Sequence, residues 1–210
     1  MTTEASTISG YNYYAAGLDP SHDYLLPTVL RMLGEPRGDR RLFDLGCGNG
    51  SVGAECARRG WTVSGVDPST DGIADANARH PELDLHSGSA YDDLRACFGQ
   101  FDRVLSLEVV EHVYAPRDWA RTLFDLTAPG GRAIVSTPYH GYLKNLAIAL
   151  TDKFDTHFTA LWDHGHIKFW SRATLTALLA EAGFTVTGFA RVGRIPVLAK
   201  SMILVAQRAP

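Results

Sequence analysis

The stretch from Arg41 to Gly50 limits what this chain can fold into more than any other. Leu42, Phe43 and Leu45 form an apolar run long enough for a buried strand and too short for a helix. Gly46, Gly48 and Gly50 follow at alternate positions and let the backbone turn tightly and approach a ligand with no Cβ in the way. From Ser51 the pattern becomes helical through Val52, Ala54, Cys56 and Ala57, with Arg58 and Arg59 in the last turn and Gly60 as the stop. Strand, glycine turn and helix make half of a nucleotide-binding βαβ unit, whose helix N-terminus offers unpaired N–H groups.

The other half follows at once. Trp61 to Val66 reads as the next strand, and Asp67 closes it, 21 positions after Gly46. Such a unit places a carboxylate there to accept the ribose hydroxyls. Gly48, Gly50 and Gly53 also satisfy the spacing of the dinucleotide fingerprint, so a nicotinamide-dependent oxidoreductase has to be weighed. Two details oppose it. The glycines start one step earlier, at Gly46, and Asp44 stands two residues before them. A carboxylate aimed into that loop repels a pyrophosphate and suits an ammonium group.

S-adenosylmethionine carries such an ammonium and no phosphate. Here the chain resembles the class I S-adenosylmethionine-dependent methyltransferases, whose first motif reads like Leu42 to Gly50. The resemblance implies a Rossmann-like α/β fold with a seven-stranded sheet, mostly parallel, the last strand antiparallel, and helices on both faces. It also implies a cofactor site made by Asp44, Gly46, Cys47, Gly48, Gly50, Asp67, Pro68 and Leu107, with Ser89 or the backbone of Ala90 at the adenine edge.

At 210 residues the chain suits one domain, with an N-terminal cap over 11–34 and a lid-like insertion over 138–168. A net charge of −3 and a pI of 6.2 supply no field that would collect nucleic acid. Cys47, Cys56 and Cys97 have no metal-ligand spacing and read as reduced thiols. No apolar run approaches the ~18 residues of a membrane span. The N-terminus is polar, with no signal-peptide core. These features lead us to expect a cytoplasmic protein, a monomer or homodimer.

Further along, Pro68 opens a helix to about Arg79, and Leu83 to His86 alternates like an exposed strand. Phe101 to Leu107 is the fourth strand, a helix runs from about Pro116 to Thr127, and Ala133 to Thr137 is the fifth strand. The aromatic-rich stretch from Pro138 to about Lys168 exceeds an ordinary connection and contains one expected helix, Tyr142 to Leu150. Ser171 begins the last helix, Gly183 ends it, and two strands without a helix between them finish the chain.

A second constellation, Glu108, Glu111 and His112, stands at the crevice edge of the fourth strand. Three readings compete. The carboxylates are solvated and the histidine packs under the cofactor, or one of the three is a general base for an acceptor hydroxyl. The third is a metal site. These residues resemble the pattern that looks metal-binding in ubiquinone-biosynthesis O-methyltransferases and in small-RNA terminal 2′-O-methyltransferases. That resemblance adds His166, or after it His164, and implies Mg²⁺, Mn²⁺ or Zn²⁺. Tyr11 and Tyr14 in the cap, with Tyr139, His140 and Trp162 in the insertion, are candidates for the acceptor pocket. The bland account of the insertion's aromatics is a satellite core.

The expected reaction is methyl transfer to an oxygen of a small metabolite. An RNA ribose methyltransferase and a non-catalytic cofactor-binding protein are the alternatives.

Overall fold

The computed structural model describes residues 22–36, 38, 40–162 and 165–210. Tyr11, Tyr14 and His164 lie outside the described residues. In chain order the elements are α1 (His22–Leu33), β1 (Arg41–Leu45), α2 (Ser51–Arg58), β2 (Thr62–Asp67), α3 (Thr70–Arg79), β3 (Asp84–Ser87), α4 (Leu94–Phe98) and β4 (Phe101–Leu107). They continue with α5 (Pro116–Leu126), β5 (Thr127–Pro138), α6 (Tyr142–Leu150), α7 (Phe154–Phe158), α8 (Arg172–Glu181), β6 (Thr185–Val192), a short turn at Pro196–Leu198 and β7 (Ser201–Gln207).

The seven strands form one sheet in the order β3-β2-β1-β4-β5-β7-β6. All pairs are parallel except those of β7, which runs antiparallel to both β5 and β6. β6 and β7 are joined without a helix, so β7 returns in the opposite sense and slots between its two neighbours.

Side-chain alternation along the strands assigns residues to two cores, one on each face. Phe43, Val104, Val135 and Leu204 face Trp119, Leu123 and Leu175 of α5 and α8. Leu42, Leu105, Ile134 and Ile203 face Leu25, Val29, Cys56 and Ile73 of α1, α2 and α3. Strands buried on both faces read as continuous apolar runs, which is why Met202 to Ala206 of β7 stood out in the sequence. Strand β3 is the opposite case: at the sheet's edge it buries only Leu85.

Several boundaries differ from expectation. β5 begins at Thr127, before the glycine pair, because Thr127 already pairs with Phe101 before the register shifts to Arg103–Arg132. Helix α5 therefore stops at Leu126. Helices α4 and α7, five residues each, are too short to show a period and were not anticipated. The last helix starts as expected, with Ser171 as a cap accepting from the Thr174 N–H and Thr174 returning the bond.

The strand order reverses between β1 and β4, which share a ladder although one starts the sheet and the other follows three crossovers. In open α/β sheets the crevice above the carboxyl ends at such a switch point holds the ligand.

Candidate active site

The glycine loop is stitched to the end of β2. The N–H groups of Gly46 and Cys47 both donate to the Val66 carbonyl, at 2.8 and 3.0 Å. Asp67 Oδ2 accepts from the Gly48 N–H at 3.0 Å and Oδ1 from the Ser69 N–H at 2.9 Å. This carboxylate thus fixes the loop's shape, a role its position in sequence did not announce. Gly46 has φ of +89°, and a Cβ there would come within 2.4 Å of Val109 Cγ2. Only glycine fits so close beneath the segment after β4.

Asp44 lies on β1, on the same face as Leu42, and is 2 % exposed. Burial, and then the nearby Asp67, push its carboxyl up to about 8. The same burial, with both carboxylates, lifts the Cys47 thiol well above its ordinary value. The two acids lie close enough to act on one another. Such a pair favours a positively charged ligand or a proton.

The stretch expected at the adenine edge is a tight turn. The Ser89 N–H donates to Asp92 Oδ2 at 2.7 Å, and Ser89 Oγ accepts from the Tyr91 N–H at 3.2 Å. Ala90 packs against the core of α5 and α8. Pro68 lies between Asp67 and the α3 cap Ser69, and Leu107 is buried at the end of β4.

Directly after Leu107 the backbone enters a conformation that non-glycine residues avoid: Glu108 has φ of +55°. The strain is held by Ser136, whose carbonyl and hydroxyl both accept from the Glu108 N–H, at 3.1 and 3.0 Å. Ser136 Oγ in turn donates to Glu108 Oε1 at 2.8 Å, and Ser201 Oγ donates to Oε2 at 3.2 Å. Residues held in this region gather at functional sites.

Glu111 is 1 % exposed. Its Oε2 accepts from Thr137 Oγ1 at 3.0 Å, while Oε1 is buried with no hydrogen-bond partner among the described residues. Burial, reinforced by Glu108, holds this carboxyl well above the usual carboxylate range. The Glu111 carbonyl accepts from the N–H groups of Ile167 and Lys168, and Trp170 Nε1 donates to the Val110 carbonyl at 3.1 Å. These bonds pin the returning end of the insertion over the segment after β4.

That pinning brings His166 to His112, with ring centroids 4.8 Å apart. One ligand atom from each of Glu111, His112 and His166 lies within 4.8 Å of the others. Glu108, the fourth residue expected, is not in that group; its oxygens are engaged by Ser136 and Ser201 instead. Burial and the neighbouring His112 hold the His166 imidazole down to about 4, so it is neutral at pH 7. Trp162 stands over both rings, 6.2 Å from His112 and 5.2 Å from His166.

The remaining pocket candidates separate. Tyr139 packs against the core, with its ring under Gly141, where a Cβ would meet the hydroxyl. His140, 7 % exposed, belongs to a second aromatic group with His157, Phe158 and Phe169. The structure thus distributes Tyr139, His140 and Trp162 over three surroundings. Sequence reasoning passed over Ser136, Thr137 and Ser201, the hydroxyls that hold the two glutamates. Hydroxyls at the crevice ends of two central strands were the available signal.

A glycine turn between two buried carboxylates, at the switch point of a sheet ordered 3-2-1-4-5-7-6, defines a Rossmann-like domain of the methyltransferase type. The chain belongs to the methyltransferase-domain family, whose model matches residues 16–188. It is 38% identical to a ubiquinone biosynthesis O-methyltransferase of Caulobacter sp. over 156 residues, which are 70% of this chain and 60% of that protein. A protein of the same description from Methylobacterium nodulans is 31% identical over 175 residues, 78% of this chain and 69% of its own. The chain thus spans about three fifths of the Caulobacter relative's length. Among solved structures, an S-adenosylmethionine-dependent methyltransferase from Mesorhizobium loti superposes with a TM-score of 0.66 at 20% identity, covering 87% of this chain and 96% of that one. Among the described residues no helix is long and apolar enough to cross a membrane.

Proposed function

We propose that this protein transfers a methyl group from S-adenosylmethionine to an oxygen of a small molecule. The observation that carries the reading is the buried pair Asp44 and Asp67 beside the glycine turn, a place that suits an aminoacyl ammonium and rejects a pyrophosphate. Asp67 accepts from the Gly48 and Ser69 N–H groups, which places its carboxylate beside the glycine turn where the ribose would lie. Gly46, Cys47, Gly48 and Gly50 supply backbone along the cofactor, and Pro68, Leu107, Ser89 and Ala90 flank its nucleoside. The relatives' description as O-methyltransferases supports oxygen as the receiving atom.

When bound, the cofactor supplies an electrophilic methyl on a sulfonium whose charge disappears on transfer. The protein's part is to align acceptor oxygen and methyl at roughly 3–3.5 Å and to exclude water. The insertion over 138–168 serves as the lid, and Trp162 closes it over His112 and His166. His112 takes the proton from the acceptor hydroxyl, and the Glu111 carboxyl, one oxygen of which lies within 4.8 Å, is placed to accept from the imidazolium that results.

Calorimetric titration with S-adenosylhomocysteine, then methyl-release assays on a panel of phenols and other hydroxyl acceptors, tests this. Binding of S-adenosylhomocysteine and no binding of NADH is the expected result. The reverse pattern would replace the reading with an oxidoreductase. Binding without turnover on any acceptor class would leave a non-catalytic cofactor-binding protein.

A second reading rests on Glu111, whose Oε1 is a buried acceptor without a partner among the described residues and one of whose carboxylate oxygens lies within 4.8 Å of His112 and His166. An oxygen and two imidazole nitrogens fit a divalent cation, Mn²⁺ or Zn²⁺ better than Mg²⁺. Glu111, His112 and His166 would hold it, and it would polarise the acceptor hydroxyl. Saturating Mn²⁺ or Zn²⁺ should then stabilise EDTA-treated protein against unfolding, by about 2.7 kcal/mol at a hundred times the dissociation constant. Glu111→Gln should remove most of that shift. Full turnover in chelator, with no shift on adding metal back, ends the metal reading.

A further inference from the structure

Helix α6 turns its apolar side chains outward. Tyr142, Leu143, Leu146 and Leu150 are exposed, and the one buried residue of the helix is Lys144, at 7 % exposure. Burying an ammonium is costly unless its donors are satisfied. Among the described residues Lys144 Nζ makes one hydrogen bond, to the Lys200 carbonyl at 3.3 Å, and no ion pair. An ammonium carries three donors, so two are left.

The surroundings suggest what those donors are for. His140, Phe158 and Phe169 form an aromatic wall, with His140 over Phe158 at 5.7 Å and Phe158 edge-on to Phe169 at 4.7 Å. Both imidazoles of this group are neutral at pH 7: burial holds His140 down to about 4 and His157 below its usual value. The charges acting on Lys144 are Arg194, exposed on the loop before β7, and Glu108, whose carboxylate takes hydrogen bonds from Ser136 and Ser201. Two cations against one carboxylate leave a single positive charge. That matches a monoanion rather than a phosphate dianion.

We propose that Lys144, with Arg194 at the rim, binds a carboxylate carried by an aromatic methyl acceptor, whose ring lies along His140, Phe158 and Phe169. The inference rests on the methyltransferase reading and names the acceptor class for that site. It also accounts for a lysine placed where the helix pattern calls for a leucine: the cation is kept because it selects the substrate.

The test compares a dihydroxybenzoate with the matching dihydroxybenzamide, titrated into protein saturated with S-adenosylhomocysteine. The benzoate should bind the wild type about tenfold to a hundredfold more tightly than the amide, as expected for a hydrogen bond to a charged group. K144M should erase that preference, and K144R should keep part of it. Equal binding of the two probes, binding of neither, or a preference surviving in K144M overturns the proposal. Binding of S-adenosylhomocysteine is measured first in every protein. Its absence from the wild type overturns the methyltransferase reading itself. Its absence from K144M alone marks a folding failure; K144Q then takes that variant's place, and equal binding of the probes to wild type still overturns the proposal.

Discussion

Asp67→Ala is expected to bind S-adenosylhomocysteine at least about a hundredfold more weakly than wild type and to unfold at a lower temperature. Both effects come from one carboxylate. It holds the Gly48 and Ser69 N–H groups, which lose their acceptor in a buried place, and on the proposed reading it also meets the ribose. Each such charge-assisted bond contributes about 1.5–3 kcal/mol. Asp67→Asn should fall between wild type and Asp67→Ala, because its single amide oxygen can accept from only one of the Gly48 and Ser69 N–H groups. Titration calorimetry and thermal unfolding on the same preparations provide the check. Unchanged affinity in Asp67→Ala would remove this residue from the cofactor site.

The second large effect is a proton. With its carboxyl raised to about 8, Asp44 is protonated in the ligand-free protein at pH 7. An ammonium seated against it favours the ionised form, so binding should release close to one proton there. Calorimetry at pH 7 in two buffers of different ionisation enthalpy measures that number directly. Asp44→Asn should abolish the release and weaken binding by about tenfold to a hundredfold. Zero proton release with undiminished affinity in Asp44→Asn would sink the ammonium assignment.

The same shift has a consequence for stability, and its sign is definite. The folded-state value, about 8, lies above the ordinary 3.8, so between them the folded protein holds a proton that the unfolded chain releases. The stabilisation is fully present below the lower value and is lost as pH rises through the upper one. Ligand-free Asp44→Asn should therefore match wild type in acid and exceed it in stability above pH 8.

Much of the fold was legible because its signals are local. β4 at Phe101–Leu107 and α6 at Tyr142–Leu150 have the bounds their residues implied, one as an apolar run and the other through its length and flanking glycine. The antiparallel entry of β7 followed from the missing helix before it. Five-residue helices and the early start of β5 were not legible, since a ladder partner rather than a period creates them.

The site divides along the same line. Asp44, the glycines and Asp67 lie within one βαβ unit, so their spacing carries their arrangement. The arrangement around Glu108 and Glu111 depends on residues 26 to 93 positions away, Ser136, Thr137 and Ser201. Composition along the chain therefore determined that two carboxylates and a glycine turn would meet at the head of a parallel sheet. Tertiary structure alone decided that Glu108 bends away to two serines, that Glu111 meets His166, and that α6 buries its lysine. Chain-neighbour preferences act over a few residues, whereas these choices are made by whichever distant strand end the sheet brings alongside.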